Sequence, residues 1–278
     1  MPINHTRDVP GLMARRVDDI ALLDDVIVAG GRSASVDLKG MRVGLPGDYF
    51  LGELDSRVGS AFIAEVARLA DLGVVFVEAS PPDFAEARSQ SAGPIMAWEM
   101  PRDVARYLEA GETGLAFEDV VHAVASPYVK SELKGLLGGQ PGLKDRYQRV
   151  MSETLPRHRA EYKAYLRDND LGAIAFPTTP LLPAPIGEND TVELDGRPVS
   201  IWLTLRNSVP ATLLGAPCLS LPIGPTDEGL PVGLELDGWP QGDGELLSIG
   251  LAWEQHTPQF PAPSMGLSRC RYLFDSSE

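Results

Sequence analysis

Ser33 and Ser35 stand in "GGRSAS" (residues 30–35), and a Gly-Gly-Ser loop is one way to set a nucleophile beside an oxyanion hole of backbone N–H groups. A serine nucleophile also needs a base, and nothing near Lys39, the nearest lysine, marks it as one. The loop follows a helical pattern and leads through the polar "VDLKG" into a strand, so its glycines read as a helix C-cap and connector. "PTTP" (residues 177–180) places the hydroxyls of Thr178 and Thr179 at the end of a strand, where open α/β sheets bind ligands. A turn whose hydroxyls satisfy their own backbone reads equally well. Cys218, between Pro217 and Leu219 on an apolar strand, reads as a small core residue. His5, His122, His158 and His256 lack metal-ligand spacing, and "DNDLG" lacks the later bidentate acid of a calcium loop. No phosphate loop and no Gly-x-Gly-x-x-Gly after a strand are present. The residues alone therefore give no catalytic constellation, no metal ligands and no cofactor.

The elements that would position these groups are legible from periodicity. Val17, Ile20, Leu23 and Ile27 recur at helical spacing after Pro10-Gly11, up to a stop at Gly30-Gly31. "MRVGL" is a strand, Asp55 caps a helix carrying Val58, Phe62, Val66 and Leu69 on one face, and Gly73 stops it. "VVFVE" follows as a buried strand, which makes a βαβ unit and a partly parallel sheet. Residues 83–168 are helical stretches interrupted by Gly and Pro. "AIAFP" returns to strand, "TVELDGRPVS" is a hairpin turning at Asp195-Gly196, and "LTLRNSVPATLLG" is helical around Pro210. "CLSLPIG" and "LPVGLELDG" are two strands, and Asp243 caps a last helix before a Pro-rich tail. The expected class is α/β, with a mixed β-sheet flanked by helices.

The chain has 278 residues, 44% of them hydrophobic and 23% charged, which suits a globular fold with a sizeable core. Its net charge of −15 is spread along the chain, so nucleic acid and anionic lipid are not expected partners. Cys218 and Cys270 are too few for a disulfide framework, and the first residues have neither the basic nor the apolar region of a signal peptide. No apolar run reaches the length of a membrane span. The default compartment is the cytoplasm.

Four stretches in order resemble the amidase signature family. In "HTRDVPGLMARRVDDIALLDDVI", Asp8, Gly11, Ala14, Arg15, Val17, Asp19 and Leu22-Leu23 match the family's Asp-Thr-x-Gly-Pro-x-Ala-Arg block, while Val9 and Leu12 depart from it. "DLKGMRVGLPGDYF" is similar to a Leu-Lys-Gly-x-Arg-Ile-Gly-x-Pro segment, and "AIAFPTTPLLPAPIG" to a Pro-Thr-x-Pro turn. The stretch from "ATLLGAPCLSLPIG" through "GLPVGLELDG" to "GLAWE" resembles the C-terminal signature. Together they span nearly the whole chain, and their wording is nearest to mandelamide and indoleacetamide hydrolases. The amidotransferase subunits acting on charged tRNA share the family, but their Asn-Leu-Ala-Gly-Leu-Pro reads Thr212-Leu213-Leu214-Gly215-Ala216-Pro217 here.

The resemblance implies a Ser nucleophile, a bridging cis-Ser and a Lys base, all lying upstream of the Asp-x-x-Gly block. Residues 1–278 are therefore expected to be a single partial domain of that fold, lacking the N-terminal part that carries those groups. No residue here is carried over as catalytic. Thr178 and Thr179 are expected at the acyl pocket, with Trp202 and Arg206 flanking it as an aromatic edge and a polar rim. The expected activity is hydrolysis of a small aromatic carboxamide, absent from this chain alone, with a complementing N-terminal chain or a homo-oligomer as partner. Missing strands would leave sheet edges and apolar surface exposed. A non-catalytic binding module, a subunit completed in trans and a self-sufficient hydrolase built on Ser33 or Ser35 are the rival readings.

Overall fold

A computed structural model describes residues 3–29, 33–187, 190–258 and 260. The first half opens with α1 (Val17–Val28), β1 (Arg42–Gly44), α2 (Asp48–Leu51), α3 (Ser56–Asp71) and β2 (Val75–Val77). Asp55 caps α3 as its sequence position suggests, accepting the Arg57 backbone N–H at 2.9 Å. Val58, Phe62 and Leu69 of α3 turn inward. β1 and β2 pair in parallel, Arg42 opposite Val75, which completes the βαβ unit. β2 is not the buried strand expected. It forms one edge of the sheet, and Val75 is exposed there.

The helical stretch resolves into α4 (Phe84–Ala110), α5 (Phe117–Ala123), α6 (Pro127–Lys134), α7 (Leu143–Arg149) and α8 (Leu155–Asp168). Gly and Pro interrupt this stretch at Gly138-Gly139 and Pro141-Gly142, between α6 and α7, whereas Pro94 and Pro101 lie inside α4 without breaking it. Each removes one backbone donor, but buried residues on both sides of each proline (Ser91, Ile95, Met100 and Val104) hold the helix to its neighbours. α7 runs into α8 through a π-turn at Val150–Thr154, just before Pro156.

β3 (Ala173–Pro177) leads to the hairpin of β4 (Thr191–Leu194) and β5 (Arg197–Ser200), with Asp195 and Gly196 both at positive φ in the turn. A 3₁₀ turn (Ile201–Leu205), α9 (Val209–Leu214), β6 (Cys218–Pro225), β7 (Pro231–Asp237) and α10 (Asp243–His256) follow. The cap of α10 is Gly242 rather than Asp243, which lies in the first turn, where its charge still suits the helix N-terminus.

The main sheet has the order β2-β1-β3-β7-β6, parallel through β3 and antiparallel beyond it. It is the mixed sheet flanked by helices that the sequence predicts. One face carries Val43, Ala173, Ala175, Leu219, Leu221, Leu234 and Leu236 against α3 and α10. The other carries Ile174 and Phe176 against Phe50, Tyr162, Leu166 and Leu214, with the Phe50 and Phe176 rings stacked 4.0 Å apart. α1 departs from its pattern. Val17 and Ala21 are buried, whereas Leu22, Leu23, Val26 and Ile27 are exposed, so most of its apolar stripe has no cover among the described residues. It ends in a left-handed Ala29, and the predicted stop at Gly30-Gly31 lies outside the described residues. No described helix is long and apolar enough to cross a membrane.

Candidate functional site

β3 delivers Thr178 to the end of the sheet. The Thr178 N–H donates to the Gly233 carbonyl at 2.9 Å, and its hydroxyl lies 2.6 Å from that of Ser220 on β6. Gly233 makes the meeting possible: a Cβ there would stand 2.9 Å from Thr178 Oγ1 and 3.1 Å from Ser220 Oγ. The neighbouring Thr179 donates to the Leu181 carbonyl at 2.8 Å, the self-satisfied turn that the sequence left open. Trp202 is exposed in the 3₁₀ turn with its ring 5.7 Å from that of Tyr128.

Arg206 does not sit on a rim. It is buried, its Nη2 donating to the Phe50 carbonyl at 3.1 Å and its Nε to Asn207 Oδ1 at 3.1 Å. Burial pushes its pKa down from the usual arginine value. Its own carbonyl accepts from the Tyr49 hydroxyl at 3.0 Å. Asn207, which sequence reading passed over, is fully buried and donates to the Pro177 carbonyl at 2.7 Å. Arg206 and Asn207 therefore brace the end of β3 from behind, and Thr178 is the group that this bracing positions. An Asn in a polar "RNS" triplet carries no signal of burial, so only the fold reveals it.

The same sheet face holds a polar ladder. Antiparallel register sets Cys218 opposite Asp237 and Ser220 opposite Glu235. Cys218 and Ser220 are exposed, so Cys218 is not the core residue expected, while Glu235 and Asp237 are buried. Burial pushes the Glu235 carboxyl up to about 7, and burial with the adjacent Glu235 pushes Asp237 well above the usual carboxylate range. The Cys218 thiol is pushed up to about 12 by its partial burial and by Glu235 and Asp237. Below the pair, the Tyr162 hydroxyl donates to the carbonyls of Asp237 and Gly238.

β6 is the other edge of the sheet, and a cavity of about 350 Å³ runs beside it. Its walls include Ile20, Leu221, Pro222, Trp253 and Phe260, with Arg15 and Glu254 at the polar side. An unpaired strand edge with an apolar cleft beside it is suited to receive another extended segment.

Among the described residues, no serine hydroxyl is hydrogen-bonded to a lysine or histidine. Ser35 bonds Gln255 at 3.2 Å, Ser220 bonds Thr178, and Ser56 bonds Asp195. Residues 30–32 of the "GGRSAS" loop lie outside the described residues.

The family described as Amidase matches this chain over residues 1–247. The chain belongs to the amidase family. Indoleacetamide hydrolase of Rhizobium radiobacter is 36% identical over 257 residues, covering 92% of this chain and 55% of that protein. Mandelamide hydrolase of Pseudomonas putida is 32% identical over 274 residues, covering 95% of this chain and 53% of its own length. A crystal structure of an amidase superposes with a TM-score of 0.73 at 26% identity, over 93% of this chain and 55% of that one. This amidase-family chain thus spans about half the length of the curated relatives it matches.

Within the amidase-family match lies one convergence that spacing could not show. His5 Nδ1 stands 2.8 Å from Asp103 Oδ2 and His5 Nε2 3.3 Å from Glu99 Oε1, with Glu99 and Asp103 buried one turn apart on α4. The Thr6 hydroxyl and N–H and the Tyr147 hydroxyl also donate to Glu99. His5 and Thr6 bind the N-terminal segment to α4 and Tyr147 binds α7 to it, which makes the cluster a structural clasp.

Proposed function

We propose that this chain is one portion of a carboxamide hydrolase that converts an arylacetamide, such as indoleacetamide or mandelamide, and water to the carboxylate and ammonia. The observation that carries this reading is the 36% identity to indoleacetamide hydrolase, sustained over 92% of the chain. Residues 1–278 act in it as a single partial domain, and the chain alone hydrolyses nothing. The absence of a serine paired with a base among the described residues supports that division. The Ser, cis-Ser and Lys of the family come from a complementing segment, which pairs along the free edge of β6 and fills the cleft beside it.

Thr178 faces the acyl side of the substrate from the brace formed by Asn207, with Thr179 and Trp202 at the margin. Arg206 acts through the backbone it supports. The chemistry required of the completed site is attack by serine on the amide carbonyl, loss of ammonia and hydrolysis of the acyl-enzyme.

The test is reconstitution. The purified chain is assayed for ammonia release from indoleacetamide, mandelamide and the aliphatic amide acetamide, and for labelling by a fluorophosphonate. Both assays are then repeated with the portion of the Rhizobium radiobacter enzyme that this chain does not match. Silence alone and turnover in the mixture are the expected results. Labelling and turnover by the chain alone would overturn the division of labour, and turnover on aliphatic amides only would overturn the substrate class.

A further inference from the structure

Two buried carboxylates on one strand face are costly unless a positive group accompanies them. Glu235 and Asp237 are 4% and 1% exposed, and no Lys, Arg or His side chain forms an ion pair with either among the described residues. The two carboxyls hydrogen-bond to each other, yet Asp237 Oδ1 has no hydrogen-bond partner among the described residues. The clasp at Glu99 and Asp103 shows the contrast, because there a histidine, a threonine and a tyrosine satisfy the acids. Across the β6–β7 ladder the thiol of Cys218 is set directly opposite Asp237, and the Ser220 hydroxyl opposite Glu235 is already engaged with Thr178. Ligand atoms of Cys218, Glu235 and Asp237 all lie within 4.8 Å of one another.

We propose that Cys218, Glu235 and Asp237 form a binding site for one divalent cation of the zinc type. One sulfur and two carboxylate oxygens are a donor set that a borderline-soft ion accepts, while calcium and magnesium avoid thiolate. In a tetrahedral shell with bonds of about 2.0–2.3 Å, ligand atoms stand roughly 3.3–3.7 Å apart, so a small inward rotation of the side chains closes the site. The fourth position opens toward the exposed side of Cys218 and takes a water. Bound there, the cation neutralises the acid pair and ties the edge strand β6 to β7. It belongs to the fold and stands independent of the amide chemistry proposed above.

The purified 278-residue chain is freed of metal with a chelator and titrated with Co²⁺, then with Zn²⁺. The expected result is one cobalt per chain, a thiolate-to-cobalt charge-transfer band and visible bands of tetrahedral intensity, all removed by one equivalent of zinc. Cys218→Ser, on the exposed side of the strand, should fold normally and lose the charge-transfer band. Asp237→Asn should weaken binding more than about 100-fold, beyond the loss usual for residues behind a ligand. Absence of the band in the parent chain overturns the proposal and leaves a carboxyl pair sharing a proton. So does a band that survives in Cys218→Ser, since it would come from Cys270. Unchanged affinity in Asp237→Asn overturns it too.

Discussion

The hydroxyls of Thr178 and Ser220 meet at 2.6 Å, joining the end of β3 to the middle of the edge strand β6 across the glycine of the strand between them. Gly233→Ala puts a methyl into that gap. The expected cost is about 1–3 kcal/mol, the usual penalty for overpacking, read as a shift in the urea midpoint. Thr178→Ala in the same background should recover part of it by removing the Oγ1 that the new methyl meets. If Gly233→Ala is neutral, the contact is looser than the geometry states.

Removing the acid at the centre of the α4 clasp is the harshest single change expected. Glu99→Ala strands the Tyr147 hydroxyl and both Thr6 donors, so a loss of about 2–4 kcal/mol is expected in chemical denaturation. Glu99→Gln keeps an acceptor and should lose less. Limited proteolysis near residue 6 should accelerate in Glu99→Ala before global unfolding does.

Asp55 supplies a pH-dependent term. Its carboxylate accepts from the side chain and backbone of Arg57, which holds its pKa below the ordinary 3.8. A depressed folded pKa stabilises above the unfolded value and is lost as pH falls through the folded one. Asp55→Asn keeps a competent cap but no charge. Its deficit in Tm against the parent should be present near neutral pH and fade once the pH falls below the carboxylate range. A deficit that is constant with pH would assign the effect to capping geometry instead.

Gly250 on α10 is required by proximity. A Cβ there would stand 2.2 Å from Leu219 Cδ2 and 3.2 Å from Val17 Cγ1, where α10 meets both β6 and α1. Gly250→Ala gains about 1 kcal/mol of helix propensity but should still destabilise, because the clash outweighs it. The double variant with Leu219→Ala should show a favourable coupling of about 1 kcal/mol or more in a mutant cycle. Strict additivity would mean that α10 shifts freely.

What was legible in the sequence was local or shared with the family. The Asp55 cap and the Asp195-Gly196 turn depend on residues within one turn of each other, so their signals survive without the fold. The alternation in "GLELD" sends Glu235 and Asp237 to one face without saying what covers it. That cover comes from α8 and α9, packed there by Tyr162 and Leu214. His5 and Asp103 lie far apart in the chain, and no spacing rule relates them. Pro94 and Pro101 carry no sign that α4 runs through them, since burial on both sides outweighs the lost donors.

Pairing of β3 with both β1 and β7 has a consequence for synthesis. Val43 sits opposite Ala173, a separation of 173 − 43 = 130 residues along the chain. At roughly 5–20 residues per second, the ribosome takes on the order of 6–26 s to supply β3 after β1 has been made. During that interval the nascent βαβ unit has a bare inner edge, while α4 to α8 have time to assemble on their own. β3 can then close onto β1, but β6 and β7 are made later still, so the β6 side of the sheet is the last to form, and until β3 arrives the open flank of β1 is where a holding chaperone would find this chain.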